Sequence, residues 1–465
     1  MKKLLLLFTL LIFVTTKNAN SFILFNIKSD DIKKIDILFT DIYYHEEFTR
    51  QSITTEEERY ASVKKQKMMQ KKINKNKKVI DTIISTIKQD LSITDLFLIT
   101  EAKNESPIKY YAEAPNFEKY KKIDALTKGE FNFNKNGEIE LKLILWDILD
   151  ERQCLGKIYV FKPENYKKVA HIIADEIYKN LTGEKRGFFN SKITYVAESG
   201  DVRKRDRKIV VIDFDGSNRI EITYQNKTLV TPLFSRVNKN DLFFVGYEDE
   251  EPLKTFKLDV TTGFIKQISS IGDMTFSPNY NPIEENSIIL SATQNGITDI
   301  HTFNLKTGIN KNLTNGRSID TTPSYSPDGK QIVFCSDREG SQKLYIMNSD
   351  GTDVKKITKE RGLYSKPAWS PDGRLIAFIK ILNGNFSIGV ITPKGKNERI
   401  LVEAYSLEGV RWSPNGRYLI YSKQVNPYGR KSIPHLYITD ILTGYEHRIP
   451  TPLQEGAIDP DWIAN

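Results

Sequence analysis

From residue 192 onward the apolar positions come in short consecutive runs, not at every second or every fourth place. Six runs stand out, at 193–196, 242–245, 288–290, 332–335, 375–379 and 418–421. Runs of this length without polar alternation predict strands buried on both faces. Aligned on an aromatic residue beside each run, a repeat falls at Phe234, Phe276, Tyr325, Trp369, Trp412 and Trp462, with steps of 42, 49, 44, 43 and 50 residues. The aromatic leads into Ser-Pro-Asp-Gly at 326–329 and 370–373, Ser-Pro-Asn-Gly at 413–416, a degraded Ser-Pro-Asn at 277–279, and a nearly lost copy at Ser235. In such a turn proline presets φ, Asp or Asn bonds the nearby backbone, and glycine supplies positive φ. A third strand follows at 209–212, 255–258, 300–303, 344–347, 388–391 and 436–439, with a second turn at Gly216, Gly263, Gly308, Gly351, Gly395 and Gly444. A fourth strand then leads to the next repeat. Four antiparallel strands per unit at this period predict a β-propeller. The first repeat begins at Lys192 without its Pro-x-aromatic strand, and the chain ends on an orphan Pro460-Asp461-Trp462. That strand is expected to complete the first blade and leave no open edge, which sets the count at six.

Residues 22–183 lack the repeat. A strand is predicted at 35–44, and Thr55-Glu56-Glu57-Glu58 resembles a capping box opening a helix. A further helical pattern covers 79–91, and strands are predicted at 96–99, 131–133, 139–146 and 158–161. Val169, Ile172, Ile173, Ile177 and Leu181 lie at helical spacing, stopped by Gly183. The expectation is an all-β six-bladed propeller over 184–465, joined through a linker at 183–187 to a smaller N-terminal α/β domain over 22–183.

Residues 1–21 read as a signal peptide. Lys2 and Lys3 precede an apolar run at 4–14, and Ala19 and Ser21 offer the small residues a signal peptidase reads. The run is too short to cross a hydrocarbon core of about 30 Å as a helix. The mature chain is expected to start at Phe22 and to be exported and soluble, with no membrane insertion. The net charge is +9, with a basic run at 64–78. An exported chain rarely meets nucleic acid, so this run reads as a solvated face. Cys154 and Cys335, the only cysteines, fall in different domains and do not form a disulfide framework.

Catalytic chemistry finds little support. No Gly-x-Ser-x-Gly elbow occurs. His45, His171, His301, His435 and His447 are scattered without metal-ligand spacing. The segments 213–216 and 348–353 suit blade turns and lack a full calcium loop. Binding is expected from the loops leading into the innermost strands, which crowd one mouth of a propeller channel. These loops carry Asp273, Ser318, Asp320, Thr321, Tyr364, Glu408 and Glu455.

The signal peptide, the α/β domain, the six-bladed propeller with its Ser-Pro-Asp-Gly-type turns and the junction NYKKVAHIIADEIYKNLTGEKRGFFNSKITYV at 165–196 together resemble the TolB family of the Tol-Pal system. The resemblance covers 22–465. The repeats at Ser235 and Ser277 are eroded, and 45–78 is longer and more basic than the family pattern. The resemblance implies a monomeric periplasmic binding protein with no cofactor and no enzymatic activity. It would bind the peptidoglycan-associated lipoprotein Pal with one propeller face, where Thr321 matches a Pal-contacting threonine. It would bind TolA with its mature N-terminal segment, which begins Phe22, Ile23, Leu24, Phe25, and would serve outer-membrane integrity and constriction during cell division. The competing expectation is an exported propeller accessory to a peptidase or other hydrolase.

Overall fold

The computed structural model describes residues 33–44, 56–101, 113–134, 136–201, 204–224, 228–236, 238–247, 252–268, 271–425 and 433–465. The signal-cleavage residues Ala19 and Ser21, the segment from Phe22 to Phe25, and His45 lie outside them. The chain forms two compact units, Met1–Asn190 and Ser191–Asn465.

The first unit contains β1 (Ile35–Tyr44), α1 (Glu56–Ile93), β2 (Phe97–Glu101), α2 (Phe117–Tyr120), β3 (Ala125–Phe133), β4 (Ile139–Asp147), β5 (Arg152–Phe161) and α3 (Tyr166–Thr182). The sheet order is β2-β1-β3-β4-β5, with β1 parallel to both neighbours and β3, β4 and β5 antiparallel. Ile80, Ile83, Ile87 and Leu91 bury one stripe of α1, and Val169, Ile173, Ile177 and Leu181 bury one stripe of α3. The two helices pack together. Between them His171 Nδ1 lies 2.7 Å from an Asp90 carboxylate oxygen, with both side chains buried, so His171 is part of the core. The separate helices expected near 55 and 79 are one continuous helix. The basic run lies within it, and Lys67, Lys71, Lys75, Lys77 and Lys78 are exposed as a solvated face.

The junction is more built than a linker. Gly183 ends α3 with φ 76°, and its N–H donates to Lys179 O at 3.0 Å. The Asp175 carboxylate then accepts the N–H groups of Phe188, Phe189 and Asn190 at 2.6, 2.8 and 3.1 Å. The stretch after Gly183 is thereby folded onto α3, and the division between units falls after Asn190.

The second unit is a ring of six four-stranded antiparallel blades. The innermost strands of blades 1 to 6 are Gly456–Ala464, Thr228–Phe234, Met274–Tyr280, Asp320–Tyr325, Leu363–Trp369 and Ser406–Trp412. The apolar runs occupy the second strands, which are buried nearly end to end. Blade 1 joins both ends of the unit. Gly456–Ala464 pairs with Ser191–Asp201, and Trp462 sits opposite Ile193. Trp462 is buried, stacks on Phe214 with centroids 5.5 Å apart, and donates its indole N–H to Ser191 Oγ at 2.7 Å.

The turn serines explain the repeated motif. Ser326, Ser370 and Ser413 donate Oγ–H to Asp328, Asp372 and Asn415 at 2.6, 2.7 and 2.6 Å. The same oxygens accept the N–H groups of Gln331, Leu375 and Tyr418 at 2.9, 3.0 and 2.9 Å. One repeat is corrected. The strand-ending aromatic of blade 3 is Tyr280, not Phe276: it pairs with Ile288 as Tyr325 pairs with Ile332 and Trp369 with Ile376. Ser277-Pro278-Asn279 is therefore part of the inner strand. Asn281 takes the place of the turn serine, its Oδ1 accepting Ile283 N–H at 2.9 Å and Glu284 N–H at 3.1 Å. The first spacings become 46 and 45 residues.

Candidate binding site at the channel mouth

Every inner strand slips register at the same point, three residues before its aromatic. The residues there are Thr231, Ser277, Thr322, Lys366, Gly409 and Asp459, all with φ between 46° and 66°. Five precede a proline: Pro232, Pro278, Pro323, Pro367 and Pro460. Proline has no N–H for the ladder and disfavours helical backbone in the residue before it, so the strand bulges where the repeat carries it. Holding a non-glycine residue at positive φ costs about 1–2 kcal/mol, and the packed ring carries that cost at five of its six bulges.

Two of the bulges interact across a third. The Lys366 ammonium of blade 5 pairs with the Asp459 carboxylate of blade 1, spanning Gly409 of blade 6. A Cβ on Gly409 would lie 2.7 Å from both Asp459 Cα and Pro460 Cδ, so the closely approaching strands require glycine as well as positive φ. Burial alone would raise the Asp459 carboxyl, but Lys366 holds it below the usual carboxylate range. Beside this pair, Glu198, Arg205, Arg207, Ser422 and Glu408 line a cleft of about 120 Å³ between blades 6 and 1. Glu198 is buried and bonded by both arginines. Water reaches Glu408, yet protein surrounds most of its carboxylate. Burial pushes that carboxyl up, the Asp459 charge adds to it, and Lys366 and Arg207 offset part.

The expected site residues divide by environment. Asp273 is exposed and accepts Asn295 N–H at 3.1 Å, while Ser318 is half-buried in the approach to blade 4. Thr321 and Glu408 lie in inner strands, next to the bulges, and not in loops. Glu455 accepts an Arg219 N–H at 2.6 Å and lies 3.4 Å from Lys208. Asp320 is buried and bound by Arg338 at 3.1–3.2 Å. Tyr364 is fully buried; its hydroxyl donates to Glu398, and burial with that carboxylate pushes the phenol well up. Asp320 and Tyr364 therefore hold the mouth's framework and present no free side chain. Lys366, Asp459, Glu198 and Arg207 escaped the sequence reading. Lys366 and Asp459 carried a signal, since each directly precedes the strand proline.

Among the described residues, no group of three or more His, Cys, Asp or Glu is placed to hold a metal ion. No described helix is long and apolar enough to cross a membrane. Cys335 is buried, Cys154 half-buried, and both are free.

Comparison with known proteins agrees with the architecture. A family profile described as TolB beta propeller domain matches residues 178–463, and one described as TolB amino-terminal domain matches 56–154. The Tol-Pal system protein TolB of Orientia tsutsugamushi (strain Ikeda) is 38% identical over 84% of this chain and 86% of its own length. That of Gluconobacter oxydans is 34% identical over 70% of this chain and 71% of its own. The crystal structure of TolB from Acinetobacter baumannii shares the fold, with a TM-score of 0.75 at 20% identity, covering 92% of this chain and 96% of that one. A propeller profile spanning more than half of the chain, together with relatives of this identity and coverage, places the chain in the TolB family of Tol-Pal system proteins.

Proposed function

We propose that this Tol-Pal component is an exported periplasmic adaptor without catalytic activity. It binds Pal at the channel mouth and TolA through the mature N-terminal segment starting at Phe22, and so supports outer-membrane integrity and constriction at division. The observation that carries the reading is the mouth itself. Six register-locked bulges carry five kinds of residue around one opening, with Thr321, Glu408, Asp273 and Ser318 accessible to a partner. Rigid strands aiming unlike polar groups at one opening suit recognition of a folded protein surface. Buried charges in this wall are paired, which keeps the surface preformed and limits the ordering cost of association. The test is periplasmic fractionation, N-terminal sequencing of the recovered protein, and capture on the immobilised soluble domain of Pal from the same organism. The expected result is a chain starting at Phe22 that is retained by Pal. Retention of Met1, or no capture by Pal, counts against export or against the adaptor reading respectively.

A further inference from the structure

The basic face of α1 carries an order that solvation alone does not require. Residues 64–78 hold eight lysines, no arginine, no acidic residue and no aromatic residue. They lie within the single helix Glu56–Ile93, so at about 100° per residue each position has a definite face. Asn76, Ile80, Ile83, Ile87 and Leu91 are buried and mark the side of α1 turned toward the rest of its unit. Lys67, Lys71, Lys75 and Lys78 are exposed, and their spacings of 4, 4 and 3 set them in one stripe on the opposite side. From Lys67 to Lys78 the stripe runs about 16 Å along the helix axis. Lys77 is exposed on its flank. None of these five side chains has an ion pair among the described residues. Lysines four apart on a helix repel each other, and the run has no interleaved carboxylate to relieve the repulsion. An anionic surface laid along the stripe would relieve it.

Composition selects the kind of surface. Single-stranded nucleic acid is held on aromatic platforms that stack its bases, and the run has none. Bidentate recognition of individual phosphates favours arginine, which the run also lacks. Lysine is a compact point charge on a flexible stem, suited to a diffuse anionic layer without fixed geometry. Lysine clusters of this size on one helix fit anionic phospholipid headgroups. Met68 is exposed beside the stripe, and one thioether is too little apolar surface to enter the hydrocarbon layer.

We propose that this stripe on α1 binds the headgroup layer of a membrane rich in anionic phospholipid, peripherally and without insertion. The contact is independent of the Pal reading, and its failure leaves that reading untouched.

The test is cosedimentation of the full chain from Phe22 onward with vesicles of phosphatidylcholine alone, and of phosphatidylcholine mixed with an equal part of phosphatidylglycerol, at low and at physiological salt. Wild type is compared with Lys67→Gln/Lys71→Gln/Lys75→Gln. A second triple variant, Lys359→Gln/Lys394→Gln/Lys396→Gln, removes the same charge from exposed sites of the propeller. Wild type should bind only the phosphatidylglycerol vesicles, and more weakly at the higher salt. The α1 variant should lose about fivefold per lysine, and so about a hundredfold in all, while the propeller variant stays close to wild type. Glutamine matches lysine in helix propensity, so helical circular dichroism should not change; if it does, Lys71→Gln alone carries the test, with a loss of about fivefold. The proposal is overturned by no binding of the wild type, by equal binding to both kinds of vesicle, by undiminished binding of the α1 variant, or by an equal loss in both triple variants. Retention on double-stranded DNA at a salt concentration that releases the vesicles assigns the stripe to nucleic acid and overturns it as well.

Discussion

Asp461 is the residue on which ring closure should depend most. Its side chain is fully buried on the last strand. It accepts Phe234 N–H at 2.9 Å and an Arg236 N–H at 2.8 Å from blade 2, and lies 3.8 Å from Arg411 of blade 6. Arg236 in turn donates to Trp462 O and to Tyr280 of blade 3 at 3.0 Å. One carboxylate thus ties the C-terminal strand to both neighbouring blades and, through Arg236, to a third. Asp461→Ala strands the guanidinium of Arg236 in the blade interface, and breaking a buried pair by removing one partner costs about 3–5 kcal/mol. Asp461→Asn keeps an acceptor but loses the charge, and should cost about 1.5–3 kcal/mol, the range for hydrogen bonds to charged groups. With a urea slope of about 3 kcal/mol/M, the alanine variant should unfold at a midpoint about 1–1.7 M lower. Trp369, Trp412 and Trp462, three of the four tryptophans, lie in the propeller, so intrinsic fluorescence follows its unfolding. A loss below about 1 kcal/mol for Asp461→Ala, against a typical total of about 5–15 kcal/mol, would refute the view that this carboxylate locks the ring.

Three further outcomes are expected. Gly409→Ala meets both positive φ and a backbone 2.7 Å from the new Cβ; it should lose at least about 2 kcal/mol, read as a lower thermal midpoint, and an unchanged midpoint would contradict the close approach. The raised Glu408 carboxyl means the folded state holds that proton more tightly than the unfolded chain. Its contribution is present below the unfolded pKa and is lost as pH rises through the folded one, so Glu408→Gln should gain stability over wild type at neutral pH, with the gap closing in acid. A gap independent of pH would show that titration of Glu408 is not its source. Deleting residues 22–32 spares the Lys33–Asp124 ion pair at 2.7 Å; it should abolish TolA capture while leaving propeller unfolding unchanged, and undiminished capture would place the TolA contact elsewhere.

The propeller was legible because its repeat is written in residues with strong backbone consequences. Consecutive apolar runs set the doubly buried second strands, and Ser-Pro-Asp-Gly set the turns through the hydrogen bonds of Ser326, Ser370 and Ser413. The misplacement of Phe276 has a physical reason. Ser-Pro occurs in this repeat both at the bulge and at the turn, and blade 3 keeps it at the bulge as Ser277-Pro278 while its turn begins at Asn281. The continuity of α1 was hidden because residues 56–78 are too polar to show an apolar stripe, leaving only 79–91 with a clear helical period. The mouth was legible as a location but not as chemistry. Sequence order marks which residues enter the inner strands, but Tyr364 and Asp320 turn into the structure to meet Glu398 and Arg338, and such pairings join residues 34 and 18 positions apart with no local pattern to announce them.

The bulge separates two demands that one side chain would otherwise have to meet. Backbone geometry at the mouth is imposed by the following proline and by register with the second strand, at five of six positions without the help of glycine. The side chains there are released from that duty and differ: Thr231, Ser277, Thr322, Lys366 and Asp459, with Gly409 as the exception that lets two strands approach. A scaffold of near sixfold regularity therefore carries a surface with no rotational repeat. Between blades 6 and 1, for example, that surface carries the mixed-charge cleft of Glu198, Arg205, Arg207 and Glu408.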